Sequence, residues 1–460
     1  MDLIDRLRQE LGSDSVLEGE EVRQRGSGWG RPEPCGALAL VRPRSTEEVS
    51  LVLRSCHEMR QPVVTHGGLT GLVGGAVAGE GELVLSLERL NRIEEVDAQG
   101  RTMTVQAGVT LQAVQEHAEA EGLLFALDLG ARGSCTIGGN VATNAGGNHV
   151  IRYGMTRAQV LGLEAVLADG TVISDLGKML KNNAGYDLKQ LFIGSEGTLG
   201  VVTRIVLRLW PRPRSEATAL VASASFGKVV ELLAEAQRRL GSDLAAFEVM
   251  WPEFYDIVTT PPARNQRPLE HGHPIYALVE ALGTSPDEDR ARFEAFLGEA
   301  VEAGLVEDAA VATTPPERRA LWALRDSVDQ LARLGPIYTF DVSLPIATME
   351  SYVAEVRERL GREWSDPKCV VFGHLGDGNL HVIAGVGESG PAVRLRVEHA
   401  VYDPLRARAG SVSAEHGIGL EKRPWLSWSR GPDEIALMRR IKVALDPKGI
   451  LNPGKVLPPE

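Results

Sequence analysis

The sequence predicts an α+β protein of two parts with a helical C-terminal segment, and three observations carry that expectation. Length is the first: 460 residues suit about two or three domains and a large buried core. Texture is the second, because it changes at the proline-rich break Trp210-Pro-Arg-Pro-Arg-Ser215. Glycine is the third: 22 of the 50 glycines fall in the windows 63–76, 128–154, 177–200, 373–378 and 417–419. The expected division is residues 1–212, 213–410 and 411–460.

Residues 40–210 alternate short β-rich runs (Pro62–Thr65, Leu83–Leu87, Met103–Gln106, Val160–Leu167, Val201–Leu209) with helical stretches at Thr46–Met59 and Thr110–Glu121. Beyond the break, amphipathic helices at Gly227–Leu240, Pro286–Ala303, Pro316–Leu334 and Met349–Leu360 alternate with strands near Ala246–Met250, Ile275–Ala281, Ile337–Leu344 and Cys369–His374. That alternation reads as a second, α/β domain. From Pro391 a helix-rich tail runs into Asp446-Pro-Lys-Gly-Ile-Leu-Asn-Pro453, a rigid end that must dock on the body of the protein.

Composition removes several classes. At 43% hydrophobic and 24% charged residues the chain is neither disordered nor collagenous, and no apolar run reaches the roughly 18 residues of a membrane helix. A net charge of −13 with no basic block argues against nucleic acid as a partner. Cys35, Cys56, Cys135 and Cys369 form no paired spacing, so neither a disulfide scaffold nor a thiolate zinc site is expected. The N-terminal segment is acidic where a targeting peptide would be basic, and a reducing, cytoplasmic setting is expected.

Three glycine clusters point to a phosphate-bearing cofactor. They are Val63-Val-Thr-His-Gly-Gly-Leu-Thr-Gly-Leu-Val-Gly-Gly-Ala76, the stretch from Asp128 to Gly147 that leads to Arg152-Tyr-Gly154, and Gly185 to Gly200. Glycine lets backbone amides converge on phosphate oxygens. No G-x-G-x-x-G follows a strand, so a nicotinamide site lacks support. Gly449-Ile-Leu-Asn-Pro-Gly-Lys-Val456 imitates a phosphate loop but lacks its final Ser or Thr and the helix after it.

These clusters resemble the FAD-binding domain of the vanillyl-alcohol oxidase superfamily. The likeness continues through Gly373-His-Leu-Gly-Asp-Gly-Asn-Leu-His381, Ser413-Ala-Glu-His-Gly-Ile-Gly419 and the 446–453 tail. Together they resemble FAD-linked D-2-hydroxyglutarate dehydrogenases and the related D-lactate dehydrogenases over nearly the whole chain. The resemblance implies an FAD domain of two subdomains, a substrate (cap) domain, and a C-terminal segment that completes the active site. It implies FAD contacts from Gly67, Gly68, Leu69, Thr70, Gly71, Gly74, Ser134, Ile137, Gly138, Asn144, Gly147, Tyr153, Glu196, Gly197, Gly200, Val201 and Asn452. It also implies an untethered flavin, so His66 is not expected to bond to it.

A metal site is suggested by the residues themselves. Asp377-Gly378 favours a two-residue type I′ hairpin turn, which would set Gly376 opposite Asn379, Leu375 opposite Leu380 and His374 opposite His381. Opposed imidazoles with Cβ atoms about 5 Å apart suit one divalent ion. The resemblance supplies Glu415 as third ligand. Two histidines and a carboxylate favour zinc, while manganese and cobalt accept the same donors. His271 and His273, flanking a glycine, are expected to be surface residues.

The resemblance further implies that His416 is the general base and that Arg325, in Trp322-Ala-Leu-Arg-Asp326, holds the substrate carboxylate. Three polar substrate positions of the hydroxyglutarate enzymes are changed here. A family threonine is Asp329, a family lysine is Thr339 and a family asparagine is Ile383, which the same hairpin register pairs with Phe372. The expectation is an FAD- and metal-dependent dehydrogenase of a D-2-hydroxy acid, hydroxyglutarate-like or lactate-like. It would pass electrons to an electron-transfer flavoprotein or a quinone, and homodimerisation is allowed. An alcohol or sugar oxidase of the same fold, or a non-catalytic flavoprotein subunit, would need no metal beside a base.

Overall fold

A computed structural model describes residues 2–31 and 33–459. The chain divides into two compact units: residues 1–147, 154–212 and 415–460 form the first, and residues 148–153 and 213–414 the second. The first unit therefore takes up 415–460 and releases the six residues 148–153 from the range expected for it. Arg152 Nη1 donates to the Asp243 carbonyl at 3.1 Å and the His149 Nε2 lies 3.4 Å from Glu280 Oε1, which holds the released segment in the second unit.

Two main sheets build the first unit. One runs Val16–Glu18, Ala39–Val41, Leu83–Ser86, Val63–His66, antiparallel at its first pair and parallel thereafter. The other, antiparallel, runs Ile93–Asp97, Thr102–Gln106, Val201–Arg208, Val160–Val166, Val172–Asp175. Val63, Leu83 and Leu85 of the first sheet share a core with Met103, Val105, Ile205 and Leu207 of the second. The helix Thr46–Met59 starts where the Ser45 hydroxyl accepts the Glu48 N–H and stops at Arg60, in the left-handed region. The tail docks in parallel beside Val63, whose N–H donates to the Ile450 carbonyl at 2.8 Å.

The second unit is one seven-stranded sheet in the order Asp308–Val311, Ser215–Ser223, Ile275–Gly283, Leu244–Met250, Lys368–His374, Asn379–Gly385, Ile337–Ser343. The expected alternation of helices and strands is present, and the sheet it builds is antiparallel throughout. The helices Pro252–Thr259 and Pro315–Asp326 pack on one face, where Phe254, Tyr255, Leu321 and Trp322 meet Met250, Tyr276, Val370, Phe372 and Ile383. The helix expected to run to Leu334 ends at Asp326, because Ser327 leaves helical geometry, and Val328–Leu334 continues as a 3₁₀ helix.

Candidate active site

In the first unit the glycine clusters line a cleft of ≈ 380 Å³, within the ~300–1,000 Å³ typical of small-molecule sites. The cleft depends on backbones touching. A Cβ on Gly68 would lie 2.1 Å from the Ser134 carbonyl oxygen, so only glycine lets these two loops meet. Apolar walls come from Leu87, Leu129, Phe192 and Val202. Polar capacity is also present: the buried Thr65 hydroxyl, on the lining, has no protein partner. A dinucleotide with a flat ring system and a pyrophosphate fits such a mixture.

Glu196 organises one side of the cleft. Its backbone adopts φ 52° and its buried carboxylate accepts the N–H groups of Ile418 at 2.7 Å and Gly419 at 2.8 Å. Burial holds its pKa above the ordinary carboxylate value, and those two amide donors offset only part of that rise. Gly417 must be glycine: φ is 83°, and a Cβ there would sit 2.8 Å from Glu196 Oε1. Glu415 Oε1 accepts the Gly147 N–H at 2.8 Å, and both Glu415 and His416 line the cleft. Asn452, at φ 42°, donates to the Glu196 carbonyl at 2.5 Å and accepts the Thr65 N–H at 3.1 Å.

Of the residues expected at the cofactor, Gly67, Gly68, Leu69, Thr70, Gly71, Gly138, Glu196, Gly197, Gly200, Val201 and Asn452 line the cleft. Gly74, Ser134, Ile137, Asn144, Gly147 and Tyr153 lie off the lining. Of these, Ile137 is in the core, Asn144 ends a helix in the left-handed region, and Tyr153 groups with the second unit. Thr65, Thr136, Asn140, Thr143 and Ser195 also line the cleft; their hydroxyl and amide groups beside the glycines were the available signal. His66 is buried off the lining, its Nε2 2.8 Å from the Ala76 carbonyl.

The histidine hairpin of the second unit differs from expectation in register. Phe372, and not His374, is the partner of His381, and Val370, not Phe372, is the partner of Ile383. The cause is the connection: Leu375–Asp377 forms a 3₁₀ turn closed by Gly378 in the left-handed region, longer than a two-residue turn. A slip of two residues preserves the face, so the histidines remain neighbours diagonally, with ring centroids 5.4 Å apart.

That face carries more chemistry than the histidines. Glu248 is the register partner of His374 on the adjacent strand. Its Oε1 lies 2.7 Å from His374 Nδ1 and its Oε2 accepts from Arg325 Nε at 2.7 Å. Burial pushes the Glu248 carboxyl up, but His374 and Arg325 override this and hold it below its ordinary value. A carboxylate only accepts, so His374 carries its proton on Nδ1 and presents the Nε2 lone pair, the state a metal needs. Arg325 lies over the Phe372 ring at 4.8 Å. Thr339 is the register partner of Ile383, and Asp341 of His381. Asp329 is exposed in the 3₁₀ segment, beside Gln330. His271 and His273 are half-buried, bonded to Thr259 and Glu307.

Comparison with known proteins places this chain. Residues 37–175 match the family described as FAD binding domain, and residues 212–456 the family described as FAD linked oxidases, C-terminal domain. The mitochondrial D-2-hydroxyglutarate dehydrogenase of Bos taurus is 41% identical over 444 residues, covering 96% of this chain and 81% of its own. The D-2-hydroxyglutarate dehydrogenase of Xanthomonas citri pv. viticola is also 41% identical, covering 95% of this chain and 93% of its own. The chain belongs to the FAD-linked D-2-hydroxyglutarate dehydrogenase family. As a member of that family it is an FAD-dependent oxidoreductase. Its fold is of the vanillyl-alcohol oxidase type, shared with p-cresol methylhydroxylase with substrate bound (TM-score 0.79, 17% identity, 99% of this chain and 96% of that one). No helix among the described residues is long and apolar enough to cross a membrane.

Proposed function

We propose that this protein is a metal-dependent dehydrogenase that oxidises a D-2-hydroxy acid with a short or apolar tail to the 2-oxo acid, with FAD held in the glycine cleft. The observation that carries it is the His374 imidazole, whose Nδ1–H donates to Glu248 so that Nε2, 3.3 Å from Arg325 Nη2, is the unprotonated nitrogen, on the same sheet face as His381. The family resemblance gives Glu415 as the third ligand, and two histidines with a carboxylate would be a donor set suited to zinc. Arg325, anchored to Glu248 through Nε, would bind the substrate carboxylate through its terminal nitrogens, and His416 would take the hydroxyl proton. A metal bound there would supply Lewis acidity at the substrate hydroxyl, and FAD bound in the cleft would supply the acceptor for the hydride from C2.

The tail preference rests on Thr339 and Ile383. The family resemblance implies a lysine and an asparagine at these cross-strand partners, and Ile383 lies in one apolar cluster with Val370 and Phe372. A second carboxylate finds no cation in that pair. Electrons leave the flavin for an electron-transfer flavoprotein or a quinone, in the cytoplasm. The test is dye reduction by FAD-loaded protein over a panel of D- and L-2-hydroxy acids, before and after chelation. D-lactate or a longer apolar D-acid is expected to have the highest kcat/KM and to need metal. Highest kcat/KM on D-2-hydroxyglutarate overturns the tail preference, and activity untouched by chelation overturns the metal.

A further inference from the structure

We infer that Glu248 is a positioning residue that fixes the carboxylate-binding arginine and a metal-binding histidine in one relation to each other. Nothing in the sequence marks it: Glu248 is a single acid in the strand Leu244–Met250, every residue of which is buried. Burying a carboxylate is costly unless each oxygen is paired. Here each oxygen has one partner, His374 Nδ1 on Oε1 and Arg325 Nε on Oε2, both at 2.7 Å. All three side chains are nearly closed to solvent, at 1% exposure for Glu248 and 7% for each partner.

Three consequences follow from one carboxylate. The Nδ1 proton of His374 is fixed, which sets the ring plane and leaves Nε2 as the only ligating atom. The Arg325 guanidinium is anchored through Nε and lies over Phe372, so its outer edge keeps a constant direction. The distance between that edge and His374 is thereby set by Glu248, not by two independent side chains; Arg325 Nη2 stands 3.3 Å from His374 Nε2. A hydroxy acid presents a carboxylate and a hydroxyl on adjacent carbons, and recognising both needs an arginine and a metal ligand at a fixed spacing. A carboxylate that served only to neutralise Arg325 would not need to meet His374.

Because this rests on the function proposed above, its test must separate the two. FAD-loaded wild type, Glu248→Gln, Glu248→Ala and Glu248→Asp are titrated with Zn²⁺ against a chromophoric chelator and assayed with D-lactate. Glu248→Gln keeps the volume but replaces one accepting oxygen with a donor, so it carries the test even if Glu248→Ala does not fold. The expected result is zinc binding weakened by about 10–100-fold in Glu248→Gln, KM raised more than kcat is lowered, flavin content unchanged, and partial recovery in Glu248→Asp. Wild type that binds zinc while Glu248→Gln binds it equally well overturns the positioning role alone. Wild type that binds no zinc overturns the proposed function and this inference with it.

Discussion

The Glu196 carboxylate accepts the backbone N–H of Ile418 at 2.7 Å, across 222 residues of sequence. One buried side chain thus anchors the loop that follows His416 to the wall of the flavin cleft. Glu196→Ala leaves two amide donors without their acceptor, the buried one at Gly419 at a cost of about 1–3 kcal/mol. The variant is expected to melt lower and to retain less FAD after gel filtration; an unchanged ratio of flavin to protein absorbance would contradict this.

Gly68 marks the closest approach between two cleft loops. A methyl group there meets the Ser134 carbonyl oxygen at 2.1 Å, a distance that only backbone movement relieves. Gly68→Ala is expected to purify largely as apoprotein, with flavin fluorescence in the low-molecular-weight fraction. Gly81→Ala, off the cleft lining and where a Cβ meets nothing within 4 Å, serves as the control that retains flavin.

His66 predicts a pH dependence. Burial lowers its pKa to about 4, against about 6.5 in an unfolded chain. Between those values the unfolded state binds the extra proton, so stability is full above about pH 6.5 and falls as the pH drops toward 4, by at most about 3 kcal/mol. Chemical denaturation at a series of pH values should show this acid limb, and His66→Gln should flatten it. FAD should leave the denatured wild-type protein on acid precipitation, since His66 is turned to the Ala76 carbonyl.

Adding polar groups at Thr339 and Ile383 should change the substrate preference proposed above. Thr339→Lys with Ile383→Asn adds a cation and an amide on adjacent strands. A charge-assisted contact of about 1.5–3 kcal/mol should raise kcat/KM for D-2-hydroxyglutarate relative to D-lactate by about 10–100-fold. A ratio that does not move would place the tail elsewhere.

What was legible in the sequence had a local cause. The helix Thr46–Met59 could be read because Ser45 and Glu48 announce its start, and the flavin cleft because glycine is required where backbones touch. The same-face histidines survived a wrong register because side chains alternate with a period of two and the slip was of two residues. The strand Ser215–Ser223 escaped notice: its alanines and serines carry little β signal, and its place in the sheet comes from pairing with Ile275–Gly283. Glu248 and Glu280 were equally silent. Each is one acid in an apolar run, and its meaning comes from partners on distant elements: Arg325 and His374 for the first, Arg318, Trp322 and Thr218 for the second.

The docking of the tail beside Val63 has a consequence for synthesis. Asn452, which bonds both the Thr65 amide and the Glu196 carbonyl, comes 387 residues after Thr65. At a translation rate of about 5–20 residues per second, ~20–80 s separate the emergence of these two partners. A nascent chain can build the sheets of its first unit long before it can close the cleft between them and the tail. Closure of this side of the cleft therefore waits for Asn452, and a chain truncated before residue 450 is expected to lose FAD.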